Sequence, residues 1–245
     1  MSVPVENANS VAWSPSRATR WLVPLGLALL GVICLVWVDA PVAGRFSQTP
    51  LDGELERLFD AAEHFGTPFG QILIALTIAA FASWWEPRLT RILTGAFAAG
   101  IMANVGKLLV ARQRPSAFAF TGDATWDSFH GLFPLGEGGS AFQSFPSAHT
   151  ASAFGFACLL SWAFPRGRGL FFFFATLTAL HRVQAGSHYP SDVCLGAALG
   201  WIVGTALIVP GPVARGFDRL EEKLARMRPG WARTVETKEA PPRAA

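Results

Sequence analysis

Three clusters of ionisable residues interrupt an otherwise apolar chain. Lys107-Leu-Leu-Val-Ala-Arg-Gln-Arg114-Pro115 closes one apolar run, Pro146-Ser147-Ala148-His149 opens another, and Arg182-Val-Gln-Ala-Gly-Ser-His188-Tyr-Pro-Ser-Asp192 joins two more. Lys107 and Arg114 are seven residues, two helical turns, apart and are expected to share a helix face. Lysine and arginine neutralise the non-bridging oxygens of a phosphate, arginine through two parallel hydrogen bonds. Ser147 follows a proline and precedes an apolar run, which suits a helix cap. The free amides of such a first turn, with the helix dipole, make an anion seat. Two histidines allow a division of labour: one attacks phosphorus as a neutral imidazole, the other protonates the leaving oxygen. Pro190 argues against a continuous helix from His188 to Asp192. A helix start in that turn still brings the carboxylate near the ring, where it would fix the tautomer. The chemistry these residues suit is capture and cleavage of a phosphate ester.

The elements that must position them are membrane helices. Of 245 residues, 51% are hydrophobic and only 15% charged, against about 25% in soluble domains. Aromatic residues reach 12%, which weighs against a disordered chain, and three cysteines weigh against a disulfide scaffold. Mean hydropathy is +0.34. A net charge of +3 is too small to imply nucleic acid. Cys34, Cys158 and Cys194 lie in apolar stretches at no metal or disulfide spacing and read as buried hydrophobes. Six segments approach the about 20 apolar residues of a span: 21–38, 68–85, 92–111, 147–164, 169–186 and 193–210. Trp84, Trp85, Glu86 and Pro87 form an interfacial stop. The first segment exceeds a signal-peptide core in length, so it is expected to be retained. Residues 116–145 show no helical period and read as a long loop, rich in Gly and Phe, that could gate access to the site. Residues 51–65 and 213–228 carry amphipathic helical patterns that suit either surface or packing helices, and the tail from Pro229 reads as disordered.

Short-loop cations set orientation. Arg17 and Arg20, Arg88 and Arg91, Arg166 and Arg168, and the basic run after 210 fall on one side of six alternating spans. Both termini are therefore expected in the cytoplasm. All three clusters then converge on the outer face, where ionisable groups at span ends are functional candidates. Arg112 is expected to be a snorkelling side chain at headgroup level, His64 and His130 to have surface roles, and Tyr189 either to line the site or to pack.

The motif Lys107 to Arg114-Pro115, then Pro146-Ser147-Ala148-His149, then Arg182 through His188 to Asp192 resembles that of the type-2 phosphatidic acid phosphatases. Vanadium haloperoxidases and bacterial acid phosphatases share that pattern. Ala148 stands where the family usually has Gly, and His181 where it has Ser. The resemblance implies that His188 is a nucleophile forming a phosphohistidine, oriented by Asp192, with His149 as general acid. It implies Lys107, Arg114, Arg182, Ser147 and the backbone at Ala148 as phosphate ligands. It implies no metal and no cofactor. His181 could bond substrate, act as a local base, or point elsewhere.

The expected fold is thus an all-α integral membrane bundle of about six transmembrane helices with its site at the outer membrane-water interface. Residues 1–20 form a cytoplasmic segment, 21–211 the phosphatase domain, and 212–245 an amphipathic helix and tail. The expected activity is hydrolysis of a lipid phosphate or diphosphate in a bacterial inner membrane. The partners are a lipid phosphate and the bilayer, with no nucleic acid, and the sequence names no protein partner. Two alternatives are a lipid-to-lipid phosphotransferase using the same histidine and a non-catalytic anion binder or transporter.

Overall fold

The computed structural model describes residues 12–48, 53–81, 86–120, 124–135 and 138–227. The chain runs α1 (Arg17–Trp37), α2 (Asp39–Gln48), α3 (Gly53–Glu63), α4 (Pro68–Phe81), α5 (Glu86–Leu109), β1 (Val110–Arg112), α6 (Ala124–Asp127), β2 (Phe129–Leu132), α7 (Ala148–Ala163), α8 (Arg168–Gln184), α9 (Pro190–Ile208) and α10 (Pro212–Arg226). Ser16 caps α1, its hydroxyl accepting from the Thr19 amide at 3.0 Å.

The fold is an all-α membrane bundle centred on α7. That helix is buried around most of its circumference, and Ala151, Ala153, Phe156, Ala157, Cys158 and Leu159 are fully buried. α5, α8 and α9 pack around it, and α1 packs on α9. Small residues let α7 and α9 approach closely: a Cβ on Gly200 would lie 2.2 Å from the Ala151 carbonyl oxygen. α1 turns Leu22, Leu25, Leu29 and Val32 outward, as a lipid-facing helix does. Three helices among the described residues are long and apolar enough to cross a bilayer: Arg17–Trp37, Arg88–Leu109 and Pro190–Ile208. α4, α7 and α8 run 14, 16 and 17 described residues.

Two expectations change. The third apolar segment does not stay helical to 111. α5 stops at Leu109, and Val110–Arg112 pairs antiparallel with Phe129–Leu132, Val110 opposite Leu132 and Ala111 opposite Gly131. Residues 116–145 therefore hold β2, α6 and tight helical turns at Pro115–Ala117 and Gly139–Phe142. Strands of three and four residues are too short to leave a periodic signature.

Both amphipathic segments are helices and both pack on the bundle. Thr178 of α8 donates its hydroxyl to the Ala62 carbonyl of α3 at 2.7 Å. Arg91 of α5 is buried and grips α10, reaching Asp218 at 2.5 Å and Glu221 at 2.8 Å. The three cysteines are free thiols, Cys34 and Cys158 buried and Cys194 partly so. His64 and His130 are exposed, as expected. The stop at Trp84 and Trp85 and the tail from Pro229 lie outside the described residues.

Candidate active site

Four helix ends and the turn before α9 meet at one cavity of about 480 Å³. Lys107 enters from the last turn of α5, Arg114 from just past β1, Ala148 and His149 from the first turn of α7, Arg182 from the last turn of α8, and His188 from the turn before α9. Six of the nine residues singled out from sequence thus line one space. The strand at 110–112 breaks the helix between Lys107 and Arg114, so they meet there without sharing a helix face.

His188 is 1% exposed, and its Nδ1 lies 2.6 Å from the Ser144 carbonyl oxygen. A carbonyl only accepts, so Nδ1 carries the hydrogen and Nε2 keeps the lone pair. Asp192 does not make this bond. Its Oδ2 is 3.8 Å from His188 Nδ1, beyond hydrogen-bond range, and accepts instead from the Ser144 hydroxyl at 2.6 Å and the Tyr189 amide at 2.9 Å. The carboxylate thus comes near the ring, as expected, but the hydrogen bond to Nδ1 is made by the Ser144 carbonyl. The backbone of Ser144 sets the tautomer, and Asp192 holds Ser144.

Burial pushes the His188 imidazole down to about 4, with the nearby Asp192 carboxylate opposing that shift. The ring is then neutral well below its ordinary pKa of 6.5. The acid limb of a kcat/KM profile that reports His188 is expected at about pH 4, not near 6.5. A profile of the purified protein in detergent checks this.

Arg112 is also corrected. It does not snorkel; it is fully buried between two buried carboxylates. Its Nη1 donates to Asp192 at 2.6 Å and Ser191 at 2.7 Å, its Nη2 to Asp39 at 2.7 Å, and its Nε to Ser128 at 3.2 Å. The guanidinium lies 3.8 Å from the centroid of the Tyr189 ring, which is itself buried, so Tyr189 packs behind the site. Burial alone would disfavour the charge, but Asp192 and Asp39 outweigh it and raise the Arg112 pKa.

Ser147 occupies the N-cap position of α7, but its hydroxyl caps no backbone amide. It accepts from the Thr150 hydroxyl at 3.0 Å, and its own amide donates to the Asp192 carbonyl at 3.1 Å. It is fully buried behind the cavity wall. His181 also stands off the cavity lining. Its Nε2 lies 3.2 Å from Asp60 and its Nδ1 3.8 Å from Glu63.

Glu63, Ser144 and Asp39 were missed in the sequence. Glu63 accepts from Arg182 Nη1 in a short contact and lies 3.7 Å from His149 Nε2. No spacing rule pairs a residue of α2 or α3 with motifs that follow far along the chain. Only the position of their cationic partners at the ends of apolar runs, which calls for an anion, hinted at them.

A cationic cavity with one tautomer-fixed histidine and a second at a helix start is the arrangement the motifs implied. The model of the PAP2 superfamily matches residues 88–211, just over half of the chain and all three motifs. The chain belongs to the PAP2 superfamily. It is 38% identical over 101 residues to the lipid A 1-phosphatase of Rhizobium johnstonii, covering 41% of this chain and 38% of that protein. It is 37% identical over 110 residues to the decaprenylphosphoryl-5-phosphoribose phosphatase of Mycobacterium tuberculosis, covering 45% of this chain and 54% of that protein. The aligned region thus spans from over a third to about half of these relatives' length. The crystal structure of Aquifex aeolicus LpxE matches with a TM-score of 0.50 at 23% identity, covering 70% of this chain and 94% of that one, and shows the shared fold. This PAP2 chain departs from the family motif at Ala148 and His181, and His181 faces the carboxylates of α3.

Proposed function

We propose that this PAP2 chain is a metal-independent phosphatase that hydrolyses a lipid phosphate through a phosphohistidine. The observation that carries the reading is the Nδ1 bond of His188 to Ser144, which leaves Nε2 nucleophilic on a ring lining a cationic cavity. In the first step Nε2 attacks phosphorus and the bond from phosphorus to the lipid oxygen breaks. His149 gives its proton to that oxygen, and the lipid alcohol leaves. In the second step His149, now neutral, takes a proton from water as the oxygen attacks phosphorus. The phosphorus–nitrogen bond breaks and inorganic phosphate departs. Lys107, Arg114 and Arg182 stabilise the charge on the equatorial oxygens in both steps.

The cavity's other flank supports a lipid over a soluble ester. Phe97 and Ile101 of α5 and Pro68 of α4 line it, and Ile101 is largely exposed on the outer surface of the bundle. A headgroup phosphate can sit on the cations while its chain stays in the bilayer. The hairpin side carries exposed Trp126, Leu132, Phe133 and Leu135, which suit contact with the membrane interface. On this reading residues 21–211 form the membrane domain, the site faces outward, and both termini are cytoplasmic.

The test is phosphate release from a panel of lipid phosphates by detergent-purified protein in excess EDTA. Release that persists in EDTA supports the reading; dependence on added metal, or no release from any lipid, overturns it. A second expectation isolates His149. His149→Ala should slow turnover of lipid alkyl phosphates by about 10²- to 10⁴-fold, while an aryl phosphate, whose leaving group needs no proton, keeps far more activity. Equal losses on both would remove His149 as the acid.

A further inference from the structure

Glu63 brings a carboxylate from α3, outside every motif, against Arg182 and His149, two residues that line the cavity. Its place is fixed from several sides. Thr178 ties the end of α3 to α8. Gln71 donates to the Phe65 carbonyl at 3.1 Å and to Ser152 of α7 at 2.9 Å. Gly66 sits so close on the first turn of α7 that a Cβ there would lie 2.6 Å from the His149 carbonyl oxygen. Glu63 is thereby held on Arg182 Nη1 and beside His149. Asp192, the other carboxylate near the site, is spent on Arg112, Ser144 and the Tyr189 amide.

The remaining donors fit a single phosphoryl group. Arg114 Nε and Arg182 Nε are buried without a hydrogen-bond partner among the described residues, and Lys107 lines the same cavity. A second phosphoryl group bound toward Arg182 would meet the Glu63 carboxylate, already in possession of Nη1. Like charges at contact distance repel, and the Glu63 side chain is only partly shielded from solvent.

We propose that Glu63 is a specificity-determining residue that tunes the seat to phosphate monoesters and against diphosphates of the same lipid alcohol. This rests on the phosphatase reading above and narrows it to one substrate class. His181 and Asp60 are its neighbours on the far side, with His181 Nδ1 facing Glu63 Oε2.

The experiment compares wild type, Glu63→Gln and Glu63→Asp as full-length detergent-purified protein. Two readouts are taken: kcat/KM for the monophosphate and diphosphate of one prenyl alcohol, and direct calorimetric binding of inorganic phosphate and pyrophosphate. Wild type should favour the monophosphate. Glu63→Gln should move both ratios toward the doubly phosphorylated ligand by roughly tenfold or more, and Glu63→Asp, which keeps the charge, by much less. Ratios unmoved in Glu63→Gln, or moved equally by Gln and Asp, overturn the proposal even if absolute rates fall. If wild type releases phosphate from neither lipid, the phosphatase reading fails, and the binding ratios still decide whether Glu63 selects between the two anions.

Discussion

Replacing His188 by Ala is expected to reduce phosphate release by at least about 10⁴-fold while the protein still binds inorganic phosphate. Among the described residues His188 is the one group of the cavity placed to form a covalent bond to phosphorus with its lone pair free and its other nitrogen fixed. Removal of a nucleophile from a preorganised site typically leaves only the contribution of the electrostatic groups. Those groups, Lys107, Arg114 and Arg182, are untouched by the substitution and continue to hold an anion. The check is paired: radiolabelled lipid phosphate for turnover, and calorimetry for binding of inorganic phosphate. Acid-quenched wild type should also carry a labile phosphoryl group that His188→Ala lacks. Turnover that survives the substitution would dismiss the phosphohistidine. Loss of both turnover and binding would place His188 among the ligands of the anion and not at its attacker.

The cavity was legible in the sequence because its members are of unusual type and fall in three tight clusters at the ends of apolar runs. A lysine, two arginines and two histidines at the ends of apolar runs cost too much to be incidental, and helix alternation sends those ends to one side. Their partners were not legible. Asp39 lies 73 residues from Arg112, and Glu63 lies 119 from Arg182. Each sits in a segment where an acid is unremarkable, and only the packing of α2 and α3 against the bundle brings it inward. Arg112 was misread for a related reason. An arginine at the end of an apolar run usually reaches for water, and nothing local showed that α5 would give way to a strand and carry it into the interior. The Asp192 contact failed on a finer scale. Four residues of separation put the carboxylate near the ring, as expected. The hydroxyl and carbonyl of Ser144, 48 residues earlier, then took the bonds that the spacing alone had assigned to the pair.

Arg112 carries the second large expectation. Arg112→Met keeps an unbranched apolar stem and removes the guanidinium with its charge, leaving Asp39 and Asp192 buried with no cation between them. Stranding buried charges in this way costs about 3–5 kcal/mol. The thermal midpoint in detergent should fall accordingly, and activity should fall with it. The reason lies in Asp192. Arg112 holds its Oδ1, which leaves Oδ2 for Ser144 and keeps the carboxylate off the imidazole. Once released, Asp192 can turn to His188 Nδ1 and stabilise the protonated ring. The acid limb of the pH profile should then rise from near 4 toward the ordinary histidine range, a change that simple loss of folded protein would not produce. Asp39→Asn in the same background removes one stranded charge and should recover part of the lost stability, though it costs stability alone. That non-additivity is the signature of a coupled ion pair. If the two losses simply sum and the acid limb stays near 4, the buried arginine is packing material, and the orientation of His188 rests on Ser144 without it.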